Sequence, residues 1–195
     1  MQLRGKEAVD QVLSALGEEL ARLDGPHVDI LICGGSALQA LGLVHRTTKD
    51  VDVLAVVGPQ DLLITAQPLP SRLTEASKKV ARVLQLTDDW LNPGPTSALD
   101  MGLPEGIMSR AEVRAYGKSL TVRFISRLDQ IHFKLYAAVD VGAKHLDDLK
   151  ALKPFAPELD AAARWTLTLD VSPTFRSLLI NLLKDLGHSD VAQRL

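Results

Sequence analysis

Between residues 28 and 57 the chain runs through a β-prone segment, a glycine pair, a helix-sized apolar segment and a second β-prone segment, an order that commits it to an α/β beginning. Val28 to Cys33 is short and apolar and stops at Gly34-Gly35-Ser36. Ala37 to Leu43 has the length of a short helix, closed by Gly42 and the polar stretch His45-Arg46-Thr47-Thr48-Lys49. Val51 to Val57 is the most strand-like run in the chain, bounded by Gly58-Pro59. Upstream, Val9, Val12, Leu13, Leu16, Leu20 and Leu23 recur at three- and four-residue steps, which predicts a helix with one buried stripe, ended by Gly25-Pro26.

The middle of the chain is more broken. Six of the ten prolines lie between Pro59 and Pro104, so loops are expected around one helix, about Ser71 to Leu86, with Val80, Val83 and Leu84 as its apolar face. Trp90, Leu91, Leu99 and Leu103 would pin the following loop to the core. A hairpin is predicted from Glu112 to Tyr116 and Leu120 to Ile125, turning at Gly117-Lys118, with Leu120, Val122 and Phe124 alternating against Thr121 and Arg123. The remainder reads as helices, roughly 128–141, 144–152, 156–169 and 173–187. The expected organisation is an α/β core over residues 1–126 and a C-terminal helical subdomain over 127–195.

Composition narrows the class. With 195 residues, 46% hydrophobic, a formal net charge of −2 excludes a basic nucleic-acid coat protein. Charge is uneven, however: from Arg110 to Lys153 nine Lys/Arg stand against five Asp/Glu, either a strip that meets phosphates or an ordinary solvated face. Cys33 is the only cysteine, so there is no disulfide framework and no cysteine-based zinc site, and its apolar setting predicts a small core residue. No apolar stretch is long enough for a signal peptide or a membrane span, so a soluble, cytoplasmic protein with no membrane partner is expected.

Two features carry chemistry. Glycines at 34 and 35, between a strand and a helix, let the backbone turn sharply and approach a ligand, and free N–H groups at the helix start favour an anion. Ser36 can cap the helix or donate its hydroxyl to a phosphate oxygen. Asp50 and Asp52, two residues apart at the start of a strand, would point to one face, shared with Leu54 and Val56. Two converging carboxylates repel and resist desolvation unless a cation joins them, and hard oxygen donors suit Mg²⁺.

Gly34-Gly35-Ser36-Ala37-Leu38, then Leu41-Gly42, then Arg46-Thr47-Thr48-Lys49-Asp50-Val51-Asp52 resembles the signature of minimal nucleotidyltransferases of the DNA polymerase β superfamily, in particular the AbiEii/MenT-like branch. The resemblance implies a mixed sheet flanked by helices, an NTP such as ATP or CTP over the Gly-Ser turn, and Mg²⁺ or Mn²⁺ on Asp50 and Asp52. In-line attack by an acceptor on the α-phosphate would release pyrophosphate, with two metal ions available to clamp the reacting oxygens. Arg46 and Thr48 match family positions; Arg46 would reach a phosphate or pair with an acidic surface. The acceptor implied is a tRNA end, modified by the toxin of a toxin–antitoxin pair with an antitoxin protein as partner. A small-molecule, drug-modifying transferase and a catalytically silent nucleotide- or partner-binding relative are the alternatives.

Lys134 shares a helix face with Ile131 and Ala138, so it either snorkels outward or has a buried anionic partner. Lys134-Leu135-Tyr136-Ala137 resembles the family's lysine helix, whose lysine would neutralise triphosphate charge. Lys144-His145-Leu146-Asp147-Asp148-Leu149 resembles the segment that follows, with Asp148 at the last carboxylate and His145 where an aspartate usually stands. Asp148, at the edge of the Leu146/Leu149/Leu152 stripe, would orient Lys134 or act as general base. The nucleotide is expected in a cleft with Lys134 and Asp148 facing Asp50 and Asp52. The strand Leu120–Ile125 offers no third metal-binding carboxylate. His27, His45, His132 and His188 have no partner at metal-ligand spacing, and Trp90, Trp165 and Phe175 read as packing residues.

Overall fold

The computed structural model describes residues 2–142 and 144–195; Met1, where the expected core begins, lies outside them. The chain divides into two compact units, Met1–Ser126 and Arg127–Leu195.

The first unit is a mixed sheet flanked by helices. In chain order it holds β1 (Leu3–Arg4), α1 (Gly5–Arg22), β2 (Val28–Cys33), α2 (Gly34–Ala40), β3 (Thr47–Thr48), β4 (Val51–Val57), β5 (Leu63–Ile64), α3 (Ser71–Leu84), β6 (Leu91–Asn92), the single turns α4 (Ala98–Met101) and α5 (Ile107–Arg110), β7 (Glu112–Tyr116) and β8 (Leu120–Phe124). The main sheet runs β5-β4-β2-β8-β7, with β6 added to β4, and β1 pairs separately with β3. β2 is antiparallel to β4 but parallel to β8, so the predicted hairpin extends the sheet on the far side of β2.

One face of this sheet supplies Ile30, Ile32, Val51, Val53, Val122 and Phe124 to a core built with the apolar stripes of α1 and α3. The stripe of α1 is buried as its spacing predicts. That of α3 is displaced: Leu73, Ala76, Val80 and Ala81 are buried, whereas Val83 is 73% exposed. Residues 73, 76, 80 and 81 lie on one helical face; Val83 is turned away from it. Trp90 is fully buried and donates its indole N–H to the Ser77 carbonyl at 3.0 Å, which ties the proline-rich segment to α3; Leu99 and Leu103 are only half-buried.

Two local departures matter for the site. The helix expected from Ala37 begins instead at Gly34, because Gly34 at φ +72° turns the chain straight out of β2; it ends at Ala40, ahead of Gly42 at φ +69°. In β4 the register passes from Ile32↔Val53 to Leu31↔Ala55, leaving Leu54 as an extra residue. A bulge of this kind reverses the alternation beyond it. Val56 therefore packs against the same core as Val51 and Val53, and does not share the face of Asp52 as simple alternation predicts.

The basic excess between Arg110 and Lys153 is largely consumed internally. Arg114 pairs with Asp10 and Glu112, Arg123 with Asp29 and Asp61, Arg127 with Glu158, and Lys134 with Asp148. Asp10 also accepts the Tyr116 hydroxyl at 2.6 Å; burial, then that carboxylate, hold the phenol far above its usual range.

The second unit is helical: α6 (Arg127–Asp140), α7 (Lys144–Ala151), α8 (Ala156–Leu169), α9 (Pro173–Asp185) and α10 (Ser189–Ala192). Trp165 of α8 lies against His132, Phe133 and Tyr136 of α6, and Tyr136 against Phe175 of α9. Among the described residues no helix is long and apolar enough to cross a membrane.

α1 crosses the sheet edge so closely that a Cβ at Gly17 would stand 3.0 Å from the Tyr116 carbonyl carbon and nearer still to its oxygen. Gly17→Ala should therefore cost about 2 kcal/mol or more in urea unfolding, whereas exposed Val83→Ala should stay within about 0.5 kcal/mol.

Candidate active site

The site in the first unit is organised by the turn from β2 into α2. Cys33, the buried last residue of β2, stands opposite Asp52 in the β2–β4 register, so the glycine turn falls beside the carboxylate strand. The approach is close. A Cβ placed on Gly34 would be 3.0 Å from Asp52 Cγ and closer still to Oδ2, and one on Gly35 would be 2.7 Å from Arg46 Nη2 and 3.1 Å from Thr48 Oγ1. Gly34 is required for its positive φ and its contact with the carboxylate, whereas a Cβ at Gly35 would push the Arg46 guanidinium aside. Arg46 lies beside Gly35, and its guanidinium donates to the Thr47 carbonyl at 3.1 Å.

The rest of the cluster is held by hydrogen bonds. Thr48 Oγ1 donates to Asp50 Oδ1 at 3.0 Å, immediately before β4. Asn92 Nδ2 donates to Asp52 Oδ1 at 2.8 Å, and Asn92 Oδ1 accepts from the Gly94 backbone N–H at 2.9 Å. Asp52 is thus held by Asn92 through Oδ1, and its Oδ2 lies against Gly34. Ser36 is fully buried, and its Oγ has no hydrogen-bond partner among the described residues. A buried hydroxyl in that state costs about 1–3 kcal/mol unless a ligand or water takes it.

In the second unit, Lys134 of α6 and Asp148 of α7 form an ion pair of 2.8 Å with side-chain exposures of 6% and 2%. Lys134 therefore does not snorkel; it has the buried anionic partner that its place on an apolar face demands. Leu149 and Leu152 are buried beside Asp148, while Asp147 is exposed. Gln130, one helical turn before Lys134, is fully buried, and neither of its amide atoms has a hydrogen-bond partner among the described residues.

Asn92 and Gln130 are the residues that pattern reading passes over. Asn92 sits in a two-residue strand before Pro93-Gly94, too short to carry a periodic signal, and Gln130 looks like any polar helix residue. Of the histidines, His27 bridges Lys118 O and Thr121 Oγ1, and His132 Nδ1 meets Leu128 O. Among the described residues no group of three or more His, Cys, Asp or Glu could hold a metal ion. Comparison with family models, curated proteins and solved structures finds no match to this chain.

The contact between Gly34 and Asp52 should be measurable as a coupling. Gly34→Ala should destabilise the wild type by about 2 kcal/mol, and Asp52→Gly should recover roughly half of that by removing the clash and leaving only the φ penalty. A double-mutant cycle in urea reads the difference. For the ion pair, Asp148→Ala should cost about 3–5 kcal/mol by stranding a buried ammonium, and adding Lys134→Met should restore most of it in the same assay.

Proposed function

We propose that this chain is a divalent-cation-dependent nucleotidyltransferase with a polymerase-β-type core. The observation that carries the reading is the packing of Asp52 against Gly34, with Arg46 and Thr48 over Gly35. It gathers an anion-seeking backbone turn, a buried hydroxyl, a guanidinium and two carboxylates into one place within the first unit.

The donors fit the group that the reading requires. Asp50 and Asp52 offer hard carboxylate oxygens to Mg²⁺ or Mn²⁺, and Asp52 Oδ2 lies against the Gly34 backbone turn. When bound, the cation offsets charge on the triphosphate and on the oxygens that gain and lose the α-phosphorus. The chain supplies the rest. Thr48 and Asn92 hold the two carboxylates by one oxygen each. Backbone N–H groups at Gly34 and Gly35 and the Ser36 hydroxyl receive phosphate oxygens, and Arg46 neutralises them. An acceptor hydroxyl bonds to the α-phosphorus as the bond to pyrophosphate breaks, and the hydroxyl proton leaves to a general base.

Within the second unit, Lys134 is proposed separately as a phosphate-binding cation, on its burial and its 2.8 Å pair with Asp148. Asp148 is in that case a positioning residue. The acceptor class, a tRNA end, and the partnership with an antitoxin follow from the motif resemblance. A catalytically silent relative that binds nucleotide or a protein is the second reading, favoured by His145 at the place of an aspartate and by the two-carboxylate cation site.

Calorimetry should show Mg²⁺-NTP binding that is lost in EDTA and weakened at least about tenfold by Asp52→Asn, since a carboxylate oxygen on the cation is replaced by a neutral amide. Equal affinity with and without the cation would remove the assignment. Incubation with each labelled NTP, Mg²⁺ and cellular RNA should label RNA; binding without labelling identifies the silent relative.

A further inference from the structure

The outer edge of β4 is shared by two short strands. β5 pairs antiparallel with the far end of β4, at Val56 and Val57, and β6 pairs parallel with its near end, at Val51 and Asp52. The chain leaving β5 therefore runs back along β4 toward Asp52, while the chain leaving β6 makes a short turn at Gly94–Ser97 that packs against β4. Ala66 N–H donates to Thr96 Oγ1 at 2.8 Å and joins the two segments. Between them opens a cavity of about 470 Å³. At 3.3 Å per residue, the stretch of β4 from Asp52 to Val56 spans about 13 Å, so the cavity lies within a nucleotide's reach of Asp52.

Its lining is unlike that of a phosphate site. Thr65, Gln67 and Ser97 contribute neutral polar groups, Leu63 and Leu99 apolar ones, and Asp100 the only charge. No Lys or Arg is present, and Asp100 repels phosphate. Thr65 is occupied by the Gln67 backbone and Ser97 donates to Gly94 O, but the Gln67 amide and the Asp100 carboxylate have no hydrogen-bond partner among the described residues. An amide with donors and an acceptor, an anionic acceptor and apolar flanks match a neutral, planar, hydrogen-bonding body with an amino or hydroxyl group to donate. The volume is that of a small-ligand site.

We propose that this cavity is the nucleoside subsite of the chain: Gln67 and Asp100 hydrogen-bond the base or ribose of a nucleotide whose phosphates lie at the Gly34-Gly35 turn. The assignment rests on the nucleotidyl-transfer reading and deepens it. The same chemistry is offered by the NTP and by the terminal nucleoside of an RNA acceptor.

Calorimetry on the full chain separates these. The ligands are Mg²⁺ with each NTP, Mg²⁺ with inorganic tripolyphosphate, and a short oligoribonucleotide with a free 3′-hydroxyl. Both side chains are exposed, so Gln67→Ala and Asp100→Ala should fold with unchanged melting temperatures. Each variant should weaken NTP binding about tenfold, the loss of a hydrogen bond to a charged or amide group, while tripolyphosphate affinity stays within about twofold. If NTP binding is unchanged and the oligoribonucleotide is weakened to that extent, the occupant is the acceptor's nucleoside and the subsite stands. If all three affinities are unchanged, the subsite is overturned and the nucleotidyl-transfer reading survives. If the wild type binds neither tripolyphosphate nor NTP with Mg²⁺, the parent reading fails first.

Discussion

Everything in the first unit that could do chemistry depends on one close approach, the backbone of Gly34 against the carboxylate of Asp52. It requires a residue without a side chain at the end of β2, a positive φ to swing the chain into α2, and a strand register that sets Cys33 opposite Asp52. Each condition has its own cost. A glycine at a helix start gives up chain entropy, and carboxylates crowded against a backbone turn repel its carbonyls and each other. What the arrangement gains is a carboxylate packed directly against the backbone turn, with Oδ1 bonded to Asn92 and Oδ2 against Gly34.

How far this could be read from the sequence depends on how local the cause is. β2 and β4 follow from short β-branched runs and appear with the predicted bounds, and the α1 stripe follows from spacing that survives any packing partner. The glycine pair, the two aspartates, Arg46 and Thr48 are near neighbours in sequence, and the fold gathers them with one strand pairing. The bulge at Leu54 was not legible, because an extra residue is defined only against a partner strand. The position of Asn92 was not legible for the same reason: a two-residue strand has no period, and its place beside Asp52 is a tertiary fact. Val83 shows the converse error, an apolar residue counted toward a face when the helix turns it to solvent.

The segment from Gly58 to Pro104, irregular by composition, turns out to be built around two anchors. Trp90 is sunk against α3, and Thr96 is bonded to the backbone of Ala66. Prolines punctuate it, yet the anchors hold its ends along the outer edge of β4, where a bare strand edge would invite pairing with another chain. Covering that edge with two short strands and a bonded loop removes the hazard and leaves a cavity as a by-product of incomplete coverage.

The helical unit poses a different energetic question. A buried ion pair such as Lys134–Asp148 is a poor device for stability, since desolvating both groups cancels most of their attraction and an apolar pair of similar volume does as well or better. Gln130, buried one turn away with both amide atoms without a partner among the described residues, adds a further cost in the same stretch of α6. Helix propensity accounts for neither, because alanine or leucine at these positions would serve α6 better. Lys134 and Asp148 at least satisfy one another at 2.8 Å, whereas Gln130 carries its cost with no return from the described residues. On this argument, the double variant at 134 and 148 removes two desolvated charges at once, which is why its stability should return close to that of the wild type.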